Sequence, residues 1–165
     1  MDYSNFGKID TFIFDVDGVF TNCEVIVMEN GDLVRTMSLR DGQAVKFALE
    51  RGYNIAIITK GWSLGVRKRF ENLGIKHIYD NLTTKLDAFI SFRESLNLSK
   101  ETILYMGDDI PDLEIFPHVA ISVCPRDGAI ENFQRADYVT ILDGGKGCVR
   151  EVIEKVLRAQ GKWVV

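Results

Sequence analysis

The sequence predicts an α/β fold, with a doubly wound, Rossmann-like and mostly parallel sheet, helices on both faces and a β-hairpin inserted after the first strand. Three observations predict this fold. Short apolar runs alternate with helical patterns along the chain, as in parallel sheets buried on both faces. One segment after the first run breaks the alternation. The length of 165 residues and the hydrophobic fraction of 46% fit one domain over residues 1–165 with a sizeable core.

The predicted strands are the apolar runs themselves. They comprise residues 11–14, 55–58, 77–79, 102–106, 119–122 and, with a weaker pattern, 138–140. The first and fourth of these strands are neighbours in the commonest doubly wound orders. Because ligands of such sheets bind beyond the carboxyl ends of the strands, we expect the functional residues just after a strand.

The hairpin is predicted over residues 22–39, as two strands around the sequence Glu-Asn-Gly-Asp at 29–32. An Asn-Gly pair favours a hairpin turn in which both central residues take positive φ. The apolar residues of this segment are Val25, Val27, Leu33 and Val34. They would be exposed in a monomer, which indicates an interface. The hairpin is too small to close over a site, so we expect a neighbouring subunit to help cover it.

Two helices are indicated by their periodicity. One has an apolar face formed by Val66, Phe70 and Leu73, with Gly74 where a C-terminal cap belongs. The other lies near the C-terminus, and its apolar face is formed by Val149, Val152, Ile153, Val156 and Leu157. A further helix is expected to start near Asp41.

Composition excludes several classes of protein. A net charge of −4 argues against a nucleic-acid binder that neutralises many phosphates. The apolar runs are far shorter than the ~20 residues needed to span a bilayer, and residues 1–10 show no secretory signal. The cysteines Cys23, Cys124 and Cys148 form no CxxC motif, which favours free thiols in a reducing compartment. We therefore expect a cytoplasmic protein that binds neither nucleic acid nor membrane.

Acidic residues follow the first and fourth predicted strands. Asp15 and Asp17 come after the first, and Asp108, Asp109 and Asp112 after the fourth. These carboxylates would converge at one edge of the sheet and repel one another unless a hard divalent cation bound them. An all-oxygen set of ligands suits Mg²⁺.

Two other strand exits carry polar residues. Thr59, Lys60 and Gly61 follow the second predicted core strand, ahead of a helix N-terminus that suits an anionic oxygen. Lys85 follows the third strand at the start of a helix. Each signal is weak alone, but an acid pair, a hydroxyl, a lysine and an acidic cluster occur in this order at successive strand exits.

This ordered set resembles the four motifs of the haloacid dehalogenase superfamily of phosphatases. The segments Leu-Arg-Asp-Gly at 39–42, Gly-Gly-Lys-Gly-Cys-Val-Arg-Glu at 144–151 and Ala-Gln-Gly-Lys at 159–162 further resemble the 3-deoxy-D-manno-octulosonate 8-phosphate phosphatase family. That resemblance implies a capless, tetrameric enzyme that removes phosphate from a sugar acid phosphate in lipopolysaccharide synthesis.

The resemblance also implies catalytic roles. Asp15 would attack phosphorus and form an aspartyl-phosphate. Asp17 would protonate the leaving sugar oxygen and then deprotonate the attacking water. Thr59 and Lys85 would hold the transferring oxygens. The implied Mg²⁺ ligands are Asp15, the backbone carbonyl of Asp17, and Asp108.

Three further residues are expected to support this site. Thr21 would orient Asp17, while Asp109 and Asp112 would align metal-bound waters or Lys85.

The second motif departs from the family pattern. The family has Thr-Gly-Arg, with the arginine contacting substrate, and Gly61 stands at that position here. Two explanations stay open: Lys60 replaces the missing charge toward the sugar carboxylate, or the substrate is a related one, such as a nine-carbon 2-keto-3-deoxy sugar acid phosphate. Trp62 either contacts substrate or packs on a neighbouring subunit. Lys146 and Arg150, in or after the glycine-rich segment, are further candidate anion contacts.

Two functions from other classes remain as alternatives. Phosphoacceptor signalling domains also carry a strand-end aspartate, an acidic pair, a hydroxyl and a lysine, but they lack a second carboxylate two residues after the nucleophile. Asp17 therefore favours the enzyme. An inactive phosphatase fold that serves in oligomerisation would have lost Asp15, Asp17, Lys85 or Asp108, all of which are present.

Overall fold

A parallel sheet of six strands forms the centre of the computed structural model, which describes residues 3–164. In chain order the described strands are β1 (Thr11–Phe14), β2 (Ile26–Val27), β3 (Leu33–Val34), β4 (Asn54–Ile58), β5 (His77–Tyr79), β6 (Ile103–Met106), β7 (Ile121–Cys124) and β8 (Tyr138–Val139). β2 and β3 form a separate antiparallel hairpin. The other strands make the central sheet.

The helices lie between these strands. They are α1 (Leu39–Glu50), α2 (Leu64–Leu73), α3 (Lys85–Ser95), α4 (Ile130–Arg135) and α5 (Cys148–Ala159), with 3-10 helices at Tyr3–Lys8, Lys100–Thr102, Ile110–Asp112 and Phe116–His118. None of the described helices has the length and apolar character to cross a lipid bilayer.

The strand order is β5-β4-β1-β6-β7-β8, and every neighbouring pair is parallel. β1 therefore lies between β4 and β6, and Phe14 is in register with Ile57 and Met106. The predicted doubly wound sheet is confirmed, including the adjacency of its first and fourth core strands. Because these strands run in the same direction, the loops that follow them meet at one edge.

The core has two layers because successive strand residues face opposite sides of the sheet. Phe12 and Phe14 of β1 pack on the side of α1, α2 and α5. Ile13 packs on the other side, against Phe89 and Phe92 of α3. Both faces of the sheet are thus covered by helices.

Local signals set the helix boundaries. At α2 the Ser63 hydroxyl accepts from the Val66 amide, and Gly74 ends the helix with φ of 94°, the left-handed conformation that glycine adopts most easily. At α5 the predicted apolar face is entirely buried. α1 begins at Leu39 with Ser38 as its cap, two residues before the predicted start.

The hairpin lies where the sequence predicts it, but its turn differs. Ile26 pairs with Val34 and Val27 with Leu33. Within the described loop only Gly31 has positive φ, at 87°, and its amide donates to the Met28 carbonyl at 2.8 Å. The expectation that both residues of the Asn-Gly pair take positive φ was wrong, because the loop has one residue more than a two-residue turn and needs only one left-handed position.

One strand is displaced from its predicted bounds. β7 covers Ile121–Cys124 rather than 119–122. The predicted run therefore begins two residues before the strand and ends two residues before the end of the strand. In the structure Ser122 is buried, and its hydroxyl donates to the Asp137 carboxylate at 2.7 Å, so it belongs to the strand interior.

Candidate active site

Asp15 and Lys85 meet at the carboxyl end of β1. The Asp15 amide donates to the Met106 carbonyl at 3.0 Å, which continues the β1–β6 pairing by one residue and anchors the side chain at the sheet edge. Lys85 is the first residue of α3, and its ammonium lies 2.8 Å from Asp15 Oδ2. Both side chains are buried. Burial alone would lower the pKa of Lys85, but attraction to Asp15 and Asp112 outweighs it, so its pKa is raised and the ammonium stays charged.

Asp112 connects Lys85 to the loop after β6. Its Oδ1 accepts from the Lys85 ammonium at 2.6 Å and also from the Tyr105 hydroxyl. Its Oδ2 accepts from the backbone amides of Asp108 and Asp109, at 3.0 and 3.2 Å. Both oxygens of this buried carboxylate are therefore engaged with protein donors, and Asp112 holds the loop and the lysine in a fixed relation.

Asp108 faces Asp15 across a turn that needs glycine. Gly18 has φ of 80°, and a Cβ atom built on it would lie 1.9 Å from Asp108 Oδ2. A side chain at this position would displace the Asp108 carboxylate. The motif Asp-x-Asp-Gly therefore uses its glycine for both the left-handed backbone and the close approach of an acidic group.

The Asp15 and Asp108 carboxylates are crowded and partly uncompensated. Burial, followed by repulsion from Asp112, raises the pKa of Asp15 to about 7 in spite of Lys85. Burial, followed by repulsion from Asp15 and Asp112, raises the pKa of Asp108 to about 8. Asp15 Oδ1 is buried and accepts no hydrogen bond from the described residues.

This donor set fits a hard divalent cation. One carboxylate oxygen from each of Asp15, Asp108 and Asp112 lies within 4.8 Å of the others. Since the oxygens of Asp112 already accept four hydrogen bonds, Asp15 and Asp108 are the carboxylates left to coordinate an ion. Oxygen ligands and buried negative charge are the environment that Mg²⁺ prefers.

Asp17 lies at the mouth of the site and is held by Arg35 of the hairpin. The Arg35 Nε donates to Asp17 Oδ1 at 2.6 Å, and Nη2 donates to Oδ2 at 3.2 Å. The guanidinium therefore binds both carboxylate oxygens at once. The residue that contacts Asp17 is thus supplied by the inserted hairpin and not by the central sheet.

The loop after β4 lines the other side of the cleft. The buried Thr59 hydroxyl accepts from the Gly61 amide at 3.2 Å. Thr59, Lys60 and Gly61 line the cleft together with Asp15, Asp17, Cys23, Lys85, Asp108, Asp109 and Pro111. Trp62 lines an adjoining pocket with Asp17 and Arg35 and is 61% exposed.

The structure differs from the sequence-based expectation at Thr21. The Thr21 hydroxyl accepts from the Gly18 amide at 3.2 Å. It therefore closes the loop of the first motif, and Arg35 is the residue that contacts the Asp17 carboxylate. Asp109 has a local role as well, because its side chain accepts from the Ile110 amide at 2.8 Å and caps the short helix at Ile110–Asp112.

The glycine-rich segment lies under the first motif rather than in the cleft. A Cβ on Gly144 would lie 2.0 Å from the Gly18 carbonyl oxygen, and the Gly145 amide donates to the Val19 carbonyl. Neither Lys146 nor Arg150 lines the cleft of the described chain. Arg150 instead lies 3.5 Å from Glu154, with its guanidinium over the ring of Trp163. Close backbone packing holds the segment beneath the loop, and a contact of Lys146 or Arg150 with a substrate anion, in this chain's site or a neighbouring subunit's, stays a prediction.

Three residues that organise the site were missed by the sequence analysis. Tyr105 in β6 could have been noticed as a phenol in a buried strand, which needs a polar partner. Glu114 accepts from the amides of Lys85 and Leu86 at 3.1 and 3.2 Å and so fixes the start of α3. Arg35 gave no signal, because nothing in a hairpin sequence shows that the hairpin folds back over the sheet edge.

Comparisons with known proteins identify relatives of this chain. The 3-deoxy-D-manno-octulosonate 8-phosphate phosphatase KdsC of Escherichia coli (strain K12) is 38% identical over 155 residues, which cover 94% of this chain and 82% of that protein. The structure of 3-deoxy-D-manno-octulosonate 8-phosphate phosphatase from Yersinia pestis matches with a TM-score of 0.94 at 31% identity, covering 97% of this chain and 86% of that one.

A third relative was solved with ligands. The structure of 3-deoxy-D-manno-octulosonate 8-phosphate phosphatase from Moraxella catarrhalis, in complex with magnesium ion, phosphate ion and a KDO molecule, matches with a TM-score of 0.93 at 31% identity. The match covers 98% of this chain and 92% of that one. No protein-family model matches the chain.

Proposed function

The chain belongs to the 3-deoxy-D-manno-octulosonate 8-phosphate phosphatase family of the haloacid dehalogenase superfamily, and on this premise we propose the reaction that it performs. It is a phosphoric monoester hydrolase that converts 3-deoxy-D-manno-octulosonate 8-phosphate to the free sugar acid and phosphate, a step of lipopolysaccharide sugar synthesis. The observation that carries this function is the convergence of Asp15, Asp17, Lys85 and Asp108 on one cleft.

Mg²⁺ is the cofactor of this reaction, as in the Moraxella catarrhalis relative. Asp15, Asp108 and the backbone carbonyl of Asp17 would hold it. The unpartnered Asp15 Oδ1 and the raised pKa of Asp108 support this assignment. When bound, Mg²⁺ would offset the repulsion between the Asp15 carboxylate and the substrate phosphate.

In the first half-reaction the Asp15 carboxylate attacks phosphorus. The bond from phosphorus to the sugar oxygen breaks, its electron pair goes to that oxygen, and the oxygen takes a proton from Asp17. The ammonium of Lys85, which lies beside Asp15, and the hydroxyl of Thr59 would stabilise the charge on the transferring oxygens.

In the second half-reaction water attacks the phosphorus of the aspartyl-phosphate. Asp17, now a carboxylate, takes a proton from that water as the bond to Asp15 breaks. Phosphate leaves, and both aspartates return to their starting protonation states. One side chain thus serves as acid and then as base.

A nine-carbon 2-keto-3-deoxy sugar acid 9-phosphate is the second candidate substrate. The observation that favours it is the absence of a side chain at Gly61, where the family motif carries arginine. The side of the cleft that would face the sugar therefore lacks the arginine expected to contact the eight-carbon substrate. The phosphate-facing residues serve either substrate equally.

We also propose that the enzyme is a cytoplasmic homotetramer. The support is the exposed apolar surface of the hairpin, formed by Val25, Ile26, Val27, Met28, Leu33 and Val34. Light scattering should give four times the mass of one chain, and Val27→Asp should lower that mass. A single-chain mass for the unaltered protein would contradict the proposal.

The function is tested by phosphate release from a panel of substrates. The panel holds the eight-carbon and nine-carbon sugar acid phosphates and two hexose phosphates, each with Mg²⁺ and with EDTA. We expect the eight-carbon substrate to have the highest kcat/KM, EDTA to abolish turnover, and Asp17→Asn to lower kcat by about 10²- to 10⁴-fold. Preference for hexose phosphates would contradict the substrate, and near-normal activity of Asp17→Asn would contradict the role of Asp17.

A further inference from the structure

Arg35 is the polar side chain that the structure places on the proposed acid and base, Asp17. We propose that Arg35 is a positioning residue, which holds the Asp17 carboxylate in the orientation needed for proton transfer to the leaving oxygen. This inference rests on the proposed phosphatase chemistry but not on which sugar phosphate is the substrate.

The contact is built to restrain orientation. The two bonds from Arg35 to the two oxygens of Asp17 fix the plane of the carboxylate as well as its position. A third bond, from Arg35 Nη1 to the Leu33 carbonyl at 3.2 Å, ties the guanidinium to the hairpin backbone. The Arg35 side chain is only 9% exposed although β2 and β3 on either side of the turn are exposed. It is therefore packed in place rather than lying free on the surface.

Asp17 has no comparable support from the rest of the site. Its side chain is 36% exposed, and among the described residues Arg35 is its one side-chain hydrogen-bond donor. Asp15, by contrast, is held by Lys85, and Asp112 by four donors. Without Arg35 the Asp17 carboxylate would be free to rotate into the solvent-filled mouth of the cleft.

Gly61 leaves the space that this pair occupies. A Cβ on Gly61 would lie 3.2 Å from Asp17 Oδ2 and 3.9 Å from Arg35 Nη2. A long side chain there would have to pass beside the guanidinium. Gly61 therefore leaves room for Arg35. The cation next to Asp17 comes from the hairpin and not from position 61.

The two hydrogen bonds from the Arg35 guanidinium also suit the change in charge that Asp17 undergoes during the reaction. When the bond from phosphorus to the sugar oxygen breaks, that oxygen takes the Asp17 proton and Asp17 becomes a carboxylate. The Arg35 guanidinium stabilises this anion, and each Asp17 oxygen keeps a second lone pair for the proton. The benefit is largest for a sugar alkoxide, which needs the proton to leave, and smallest for p-nitrophenolate, which leaves without one.

The test compares leaving groups in single turnovers with enzyme in excess, so that only phosphoryl transfer to Asp15 is observed. We would use Arg35→Ala, Arg35→Lys and, as the matched control, Arg158→Ala, which removes a guanidinium paired with Glu154 on the distant helix α5. The substrates are the sugar phosphate that the wild-type enzyme turns over best and p-nitrophenyl phosphate.

We expect Arg35→Ala to slow the single-turnover sugar phosphate step by about 10- to 100-fold. The single-turnover p-nitrophenyl phosphate rate, and the KM for the sugar phosphate measured separately in the steady state, should stay within about threefold of wild type. Arg35→Lys should lose less rate than Arg35→Ala, since lysine keeps the positive charge but cannot bind both carboxylate oxygens in the planar geometry of arginine. Arg158→Ala should behave as wild type. Equal losses on both substrates would overturn the proposal, as would an increase in KM with unchanged kcat, which would indicate direct contact with the substrate anion.

A double-mutant cycle with Asp17→Asn completes the test. If Arg35 acts through Asp17, adding Arg35→Ala to Asp17→Asn should cost no further rate, whereas additive losses would overturn the proposal. If Arg35→Ala does not fold by circular dichroism, Arg35→Lys carries the same comparison. If the wild-type enzyme hydrolyses another alkyl phosphate in place of the eight-carbon sugar acid phosphate, the substrate assignment fails while this test proceeds unchanged.

Discussion

Lys85 Nζ lies 2.6 Å from Asp112 Oδ1, and neither side chain has appreciable contact with solvent. The two opposite charges stabilise each other, and Asp15 gives the Lys85 ammonium a second acidic partner at 2.8 Å, since an unpaired charge in this environment would cost several kcal/mol. Asp112 also accepts from the amides of the loop after β6. The pair therefore links the lysine that contacts Asp15 to the loop that carries Asp108.

Removing Asp112 should affect stability and catalysis together. We expect Asp112→Ala to lower the free energy of unfolding by about 3–5 kcal/mol, because it leaves Lys85 with Asp15 alone and leaves the other donors to Asp112 without their acceptor. Urea unfolding would measure this. Tyr105→Phe is the control: it removes one donor to Asp112 and should cost only about 1–2 kcal/mol. An Asp112→Ala variant as stable and as active as wild type would contradict the link.

Gly18→Ala should lower stability more than Gly52→Ala, which introduces backbone strain but no steric clash. Gly18 and Gly52 have nearly the same φ, 80° and 81°, but a Cβ on Gly52 meets nothing within 4 Å. Gly52→Ala should cost about 1–2 kcal/mol. Gly18→Ala should cost more and also abolish Mg²⁺-dependent turnover, because it displaces Asp108. Thermal melts and phosphate release would compare them, and equal effects would contradict the close approach.

Mg²⁺ should stabilise the folded protein through Asp108. At 100 times its Kd a ligand adds about 2.7 kcal/mol, which for a chain of this size raises Tm by several degrees. We expect that rise in the wild-type protein and in Asp32→Asn, which changes an exposed hairpin carboxylate. It should be absent in Asp108→Asn. A full shift in Asp108→Asn would place the cation elsewhere.

Asp41 should give the fold a measurable pH dependence. It is fully buried in α1, and its Oδ1 accepts from the Arg150 amide at 2.8 Å. Burial raises the pKa of Asp41 to about 6, whereas an unfolded Asp titrates near about 3.9. Between these values the folded protein holds a proton that the unfolded chain has lost, so stability falls as pH rises through this window.

The variant Asp41→Asn isolates this effect because it cannot ionise. The free energy of unfolding of Asp41→Asn, minus that of wild type, should increase from about pH 4 to pH 7 by at most about 3 kcal/mol. Urea unfolding at the two pH values measures it. A difference that stays constant across the window would contradict the buried, proton-holding role.

The fold was predictable because its signals are local. The apolar runs, the cap at Gly74 and the apolar face of α5 each follow from a short stretch of sequence. The bounds of β7 were predicted two residues too early, and Ser122 inside the strand has its partner, Asp137, on another segment. A polar residue in a strand is read correctly only when its distant partner is known.

The part of the site that lies directly after the strands of the sheet was predictable from the sequence. Asp15, Thr59, Lys85 and Asp108 lie at these strand exits, and the sheet brings them together. The contact of Arg35 with Asp17 depends on how the hairpin folds back, which no local pattern encodes. The same holds for residues 144–147, whose glycines suit either a cleft or close backbone packing, and here allow the packing.

The central claim is that Asp15 is the nucleophile, at an edge of the sheet where Lys85 and a bound Mg²⁺ would offset its negative charge. The most direct test is mass spectrometry of enzyme quenched in acid during a single turnover with Mg²⁺ and 3-deoxy-D-manno-octulosonate 8-phosphate. We predict one phosphoryl group on Asp15, and none in Asp15→Asn. A phosphoryl group on Asp108 or another residue, or turnover with no labelled intermediate at any quench time, would contradict the account.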